Sequence, residues 1–222
     1  MRTFEEQQRA LFRSHLQSNI GEFAKSHSDV MTILSTRPLI SRLDSQSITN
    51  SVALVRERAW AAVSVNLHAQ LGQLAKELAG YLGTRLGVTI SSDLRDLVDQ
   101  PVLDMTLPMW LNSAQALEKN RVLKAMRGGH ALALNALESF ERARPFGLSH
   151  STVSAITVTA ATGLINRATL LYLQQAGRRD YKLVTAGDVR DPEAYTRKYS
   201  VTASPVAPMF IGDRSVPSLE IV

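Results

Sequence analysis

Apolar residues at Phe4, Leu11, Phe12, Leu16, Ile20 and Phe23 recur at intervals of three, four and seven, the period of an amphipathic helix running from Thr3 to about Val30. Glu5 and Glu6 fall in its first turn, where the helix dipole favours negative charge. A break follows at Thr36-Arg37-Pro38. Residues 39–86 carry the longest helical pattern, with Leu54, Ala61, Val65, Leu71, Leu74, Leu78 and Leu82 as one broad stripe. Ser47, Thr49 and Ser51 interrupt its early part and favour a start near Thr49, while Gly83 and Gly87 close it as C-terminal glycines do. The segment VTISSDLRDLVDQP restarts a helix at Ser91 or Ser92 and stops before Pro101.

Pro101 and Pro108 bracket a connector that the pattern marks as a hinge. Beyond it, Leu111, Leu117, Val122, Met126, Leu132, Leu134, Leu137 and Phe140 predict one helix from Met109 to Arg144, kinked or closely crossed at the two glycines of Arg127-Gly-Gly-His130. After a loop at Arg144 to Thr152, a helix from Thr152 to Ala176 buries Val153, Ile156, Val158, Leu164, Ile165, Leu170, Leu171 and Leu173, and Gly177 caps it. The period then switches to two: Tyr181, Leu183 and Thr185 face one way and Lys182, Val184 and Ala186 the other, a six-residue strand. Pro192, Pro205, Pro208 and Pro217 forbid a helical tail, and its pairing strand is expected within Pro208 to Val222. The fold class is therefore mainly α, with long helices followed by a small α+β module and a short strand pair near the C-terminus. Three regions follow: residues 1–100 helical, 109–191 helical and strand-bearing, and 192–222 an extended tail.

Composition narrows the class. The 222 residues are 45% hydrophobic, as in an ordinary globular chain with a real core. The absence of cysteine excludes disulfides and thiolate metal sites and favours an intracellular or virion-interior setting. Arg2, Glu5, Glu6 and Arg9 stand where a secretory leader would need an apolar core, and the long uncharged stretch Gly147 to Asn166 is too rich in Ser and Thr to span a bilayer. No internal repeat is evident.

Charge is the uneven quantity. Residues 1–118 carry 11 basic and 12 acidic side chains, residues 119–199 carry 13 and 6, and residues 200–222 carry 1 and 2, so one segment holds all of the net +5 and more. Lys119, Arg121, Lys124 and Arg127 run down one helix, and Arg142, Arg144, Arg167, Arg178, Arg179 and Lys182 recur downstream. The candidate nucleic-acid-binding set is Lys119, Arg121, Lys124, Arg127, Arg167, Arg178, Arg179 and Lys182, with double-stranded DNA as partner. Such binding is non-specific and weakened by salt, because neutralised phosphates release counterions. A solvated surface produces a similar excess, and Arg178 and Arg179 also complement the helix dipole.

Catalytic signatures are missing: no phosphate loop, dinucleotide fingerprint, zinc helix motif or nucleophile elbow occurs. Asp188, Asp191 and Glu193 form the one local acidic group, but their spacing matches no calcium loop. They read instead as a turn, Asp188 closing it after Gly187 and Asp191 capping the segment opened by Pro192. His130 and His150 lack a carboxylate or nucleophile at a diagnostic offset. The expectation is a non-enzymatic chain with no cofactor, no metal and no membrane partner.

Residues 157–191, TVTAATGLINRATLLYLQQAG followed by RRDYKLVTAGDVRD, resemble the core of the phage Mu F-like minor head proteins of the tailed-phage head morphogenesis family. In that pattern a helix runs to an Ala-Gly, a spacer leads to an aromatic-rich strand, and the strand ends in a Thr-Ala-x-Asp-x-x-Arg turn. Asn166, Ala176, Gly177, Tyr181, Thr185, Ala186, Asp188 and, one place early, Arg190 occupy the matching positions. Where the family has Arg-Thr-Glu this chain reads Val158-Thr159-Ala160, so only the threonine survives and the Arg–Glu pairing of that motif cannot form. The resemblance implies a minor head protein at the portal vertex, in the virion and in the host cytoplasm during assembly. Its partners would be portal or capsid proteins and copies of itself, with Gly177, Asp188 and Arg190 as structural turn residues. Two other classes fit the same features: a nucleic-acid-binding regulator dimerising through the helix at 49–86, and a head–tail connector or internal head protein.

Overall fold

The computed structural model describes residues 4–35, 44–91, 93–184, 192–203, 205–208 and 215–219. Among them are five α-helices and two small antiparallel sheets: α1 Phe4–Ser35, α2 Asp44–Leu86, α3 Leu107–Ala131, α4 Ala136–Ala143, α5 Pro145–Gln175, β1 Asp180–Tyr181, β2 Leu183–Val184, β3 Tyr199–Ser200 and β4 Val216–Pro217. The mainly helical class with a late strand pair is the one the sequence pattern predicts. The break at Thr36-Arg37-Pro38, Ser92, and the turn from Thr185 through Asp188 and Arg190 to Asp191 lie outside the described residues.

The fold forms two compact units, each drawn from two stretches of chain: residues 1–67 with 108–154, and residues 68–107 with 155–222. In the first unit Val30 and Leu34 of α1, Ile48 and Val52 of α2, Val122 and Met126 of α3, and Ala136 and Phe140 of α4 share one apolar cluster. The buried stripe of α2 there is Ile48, Val52, Arg56, Ala59, Trp60, Val63 and Leu67, at helical spacing. Leu54 and Val65, expected on the stripe, are 59% and 70% exposed. They sit about two residues out of phase, on the opposite side of the helix.

The helix expected from Met109 to Arg144 is two. α3 ends past the glycine pair, where Leu132 N–H reaches Gly128 O at 3.2 Å and Leu134 N–H reaches Gly129 O at 2.9 Å, with Ala133 at φ 53°. Asn135 then starts α4 with a capping box: Glu138 N–H donates to Asn135 Oδ1 at 2.8 Å and Asn135 N–H donates to Glu138 Oε2 at 3.0 Å. Arg144, at φ 46°, ends α4, and Pro145 opens α5 seven residues before Thr152. A missing N–H costs nothing at a first helical position, which is why proline stands there.

In the second unit α2 buries Leu71, Leu74, Leu78 and Leu82. Gly83 lies inside the helix, and Gly87, at φ +67°, is the cap, its N–H reaching Gly83 O at 2.9 Å. The helix expected from Ser91 or Ser92 is a single 3-10 turn, Leu94–Leu97, capped by Asp93. Val102 and Met105 then exchange backbone hydrogen bonds of 2.9 and 3.1 Å around Leu103 and Asp104, both in the left-handed region. Gly163 of α5 admits this tight turn: a β-carbon there would fall 2.5 Å from Val102 Cγ2. Gly163→Ala is therefore expected to lower stability by about 1–3 kcal/mol. In urea unfolding, part of that loss should vanish when Val102→Ala is made in the same chain; simple additivity would contradict the steric account.

One extended run closes the unit. β1 pairs with β3, placing Asp180 opposite Ser200 and Tyr181 opposite Tyr199, and β2 pairs with β4, placing Leu183 opposite Pro217 and Val184 opposite Val216. The partner of β2 thus comes from the stretch predicted for it, whereas β3, the partner of β1, lies ahead of that stretch. Tyr181 and Leu183 point inward onto Leu170, Leu173, Val201 and Ala207, while Val184 is exposed. The six-residue strand of the sequence reading is two short ladders here, and Thr185 and Ala186 lie outside the described residues.

Candidate functional site

Two features stand out, and only one was predicted. Lys119, Arg121, Lys124 and Arg127 are all exposed on α3. Among the described residues none of them forms an ion pair. At 100° per residue, Lys119 and Arg121 lie about 200° apart around the helix with Arg127 and Lys124 between them. The fan therefore covers the whole solvent arc opposite the buried Leu111, Val122 and Met126.

The other four predicted cations belong to the second unit. Arg167 is half-buried and directs Nη1 at Gln100 O, 3.4 Å away, and Nη2 at Pro101 O. Burial lowers its pKa from the usual guanidinium value. Its guanidinium thus has a local task, holding the chain that enters the 102–105 turn. Arg178 and Arg179 follow the α5 cap, and Lys182 lies between β1 and β2. Their backbones carry structure: Arg178 N–H reaches Leu173 O at 2.9 Å, Val201 N–H reaches Arg179 O at 2.9 Å, and Ser218 N–H reaches Lys182 O at 2.8 Å. Gly177, at φ +72°, donates to Gln174 O at 3.0 Å, so with the Arg178 bond it completes a Schellman cap. Of the turn residues, Gly177 is described; Asp188 and Arg190 are not. Glu193 is exposed and pairs with Arg197 at 2.8 Å, one turn on. Among the described residues no group of three or more His, Asp or Glu side chains could hold a metal ion, and no helix is long and apolar enough to cross a membrane.

The feature the pattern did not predict is a buried polar centre in the first unit. Arg56 of α2 is 2% exposed and Glu118 of α3 is 8% exposed. Arg56 Nε donates to Glu118 Oε1 at 2.6 Å and Nη2 to Oε2 at 3.0 Å, a bidentate pair. Nη2 also donates to Ser149 Oγ at 2.7 Å, and Nη1 reaches Phe23 O at 3.3 Å and Ser26 Oγ at 3.4 Å. All five guanidinium hydrogens thereby have acceptors. The Phe23 ring, 4.9 Å from the guanidinium carbon, meets Trp60 edge-on, and Trp60 Nε1 donates to Glu118 Oε2 at 3.2 Å. Ser149 Oγ contacts Glu118 Oε2 and Pro145 O. Residues from α1, α2, α3 and α5 are thus tied to one ion pair. The pocket beside it, about 30 Å³ and bordered by Thr49, Val52, Arg56, Glu118 and Lys119, has room for a water or two. That arrangement positions helices.

The signal was available: Arg56 is four residues from Val52 and Trp60, and Glu118 four from Ala114 and Val122, so opposite charges occupy core positions on two helices. Choosing Leu54 and Val65 as the stripe hid it.

His27 of α1 stacks on Phe140, with ring centroids 5.6 Å apart. Burial first, and the Arg56 charge second, lower its pKa below 6.5, with Glu141 opposing. The folded form thus prefers neutral His27, so its contribution is complete above the unfolded value of 6.5 and fades as pH falls through the folded value. The urea midpoint should drop as pH is lowered from 7 towards 5, and His27→Phe, which keeps a ring on Phe140, should flatten that drop.

No protein-family model, curated protein or solved structure matches the chain.

Proposed function

We propose that this chain is a non-enzymatic structural protein of a tailed-phage head, a minor component that joins portal or capsid proteins through its helices during head assembly. The observation that carries the reading is what three positions of the resemblance do together. Gly177 caps α5, Tyr181 is buried at 1% exposure where the strand meets the core, and Asn166 Nδ2 donates to Ser215 O at 3.1 Å, tying the C-terminal strand segment to the helix. Ser215 Oγ in turn bonds the Tyr195 hydroxyl at 2.8 Å. Each acts on the closing of one small module, which suits a motif that serves shape rather than turnover. The first unit supports the same reading, since its buried charges are spent on one another and on helix positions. Thr159, the one residue of the family's Arg-Thr-Glu that this chain keeps, lies inside α5, where its hydroxyl donates to Ala155 O at 2.8 Å.

Cosedimentation of the purified chain with portal rings or procapsids tests the proposal. Binding that saturates at a fixed ratio to the portal is the expected result; a chain that remains in the supernatant at every concentration sinks it.

A further inference from the structure

We propose that the exposed face of α3 is a docking surface for duplex DNA, gripping phosphates without reading bases. The reason lies in where the one carboxylate of α3 goes. Glu118 is turned inward and held by Arg56, so the solvent side of the helix, with Lys119, Arg121, Lys124 and Arg127, presents cations and no acid. The four span eight helical steps, about 12 Å along the axis. Around the axis they fan over about 200°, with Asn120, Ser113, Ala116 and two exposed apolar side chains, Met109 and Leu117, among them.

A helix with cations on both flanks suits an occupant with negative charge on two sides, as the phosphate walls of a duplex groove provide. Single strands are less well served, because α3 presents no exposed aromatic ring on which bases could stack. A flat anionic membrane would favour a one-sided cationic stripe opposite a broad apolar face, whereas the face of α3 opposite its cations, with Leu111, Val122 and Met126, is buried within the unit, and Met109 and Leu117 lie among the cations instead. The surface stands on α3 alone, so a chain absent from phage particles could still bind DNA, and the two readings can fail separately.

The test is fluorescence anisotropy of the full chain with a duplex of about 20 base pairs and arbitrary sequence, from 50 to 200 mM salt. Four neutralised phosphates predict a slope of log K against log salt of about −3.6, hence an affinity loss of roughly 100-fold over that range. Lys124→Gln alone should reduce the slope by about 0.9. Replacing all four by glutamine, which leaves helix propensity nearly unchanged, should reduce binding to background while the circular dichroism and urea midpoint stay in place. Glutamine at Arg178, Arg179 and Lys182 should leave most of the affinity. No binding at 50 mM salt would overturn the proposal. So would an unchanged slope in the α3 variant, loss of binding only in the Arg178, Arg179 and Lys182 variant, or equal affinity for polyglutamate or for anionic vesicles.

Discussion

Glu118→Leu should lower the stability of the chain by about 3–5 kcal/mol, because it leaves Arg56 charged, buried and without a counterion. The size follows from the geometry. Arg56 has no route to solvent at 2% exposure, and two of its five hydrogen bonds go to the lost carboxylate. Arg56→Met should cost a comparable amount by leaving Glu118 with only Trp60 and Ser149. The double variant Arg56→Met/Glu118→Leu removes both charges and replaces them with apolar volume, and it should recover most of the loss. Urea unfolding of the four chains closes a double-mutant cycle, and a coupling energy near zero would show that the pair does not act as a unit. A chain with total stability in the usual range of about 5–15 kcal/mol would be severely weakened by either single change.

Tyr181→Ala should cost about 3–5 kcal/mol, as expected for removing a fully buried aromatic side chain. Among the described residues Tyr181 is the largest fully buried side chain of the second unit, its ring 5.6 Å from that of Tyr199 and packed among Leu170, Leu173 and Val201. Burial holds its phenol above the ordinary tyrosine pKa. Tyr181→Phe keeps the ring and should cost no more than about 1 kcal/mol. Hydrogen exchange locates the damage. The amides of Val201 and Ser218, which bond Arg179 O and Lys182 O, should lose protection in Tyr181→Ala before those of α3 do. Equal loss everywhere would mean that the module is not a separate cooperative element.

Much of this architecture is legible in the sequence where one physical rule acts without competition. Gly177 ends α5 because only a residue tolerant of positive φ completes the cap, and Tyr181 and Leu183 face inward because extended chain alternates. The partner strand at Val216–Pro217 lay in the stretch predicted for it, but the one at Tyr199–Ser200 did not. Where two rules compete, pattern alone fails. The helix propensity of residues 109–144 argued for continuity, yet the capping box at Asn135 and Glu138 overrode it. In α2, two apolar phases coexist, and Leu54 and Val65 match one while the core uses the other. The phase is decided by α1 and α3, whose contacts no local reading of α2 contains. The polar centre was hidden for the same reason, since a charged pair reads as surface until both partners are seen to occupy core positions. The four α3 cations were visible as residues but not as a face. That required knowing that Glu118 points away from them.

The account is tested most directly by mass spectrometry of gradient-purified phage particles produced from the genome that encodes this chain. It predicts the chain within the particle at a constant, low number of copies relative to the portal subunit, and retained after the particle surface is washed with high salt. Particles that assemble, package DNA and infect without containing the chain would contradict it.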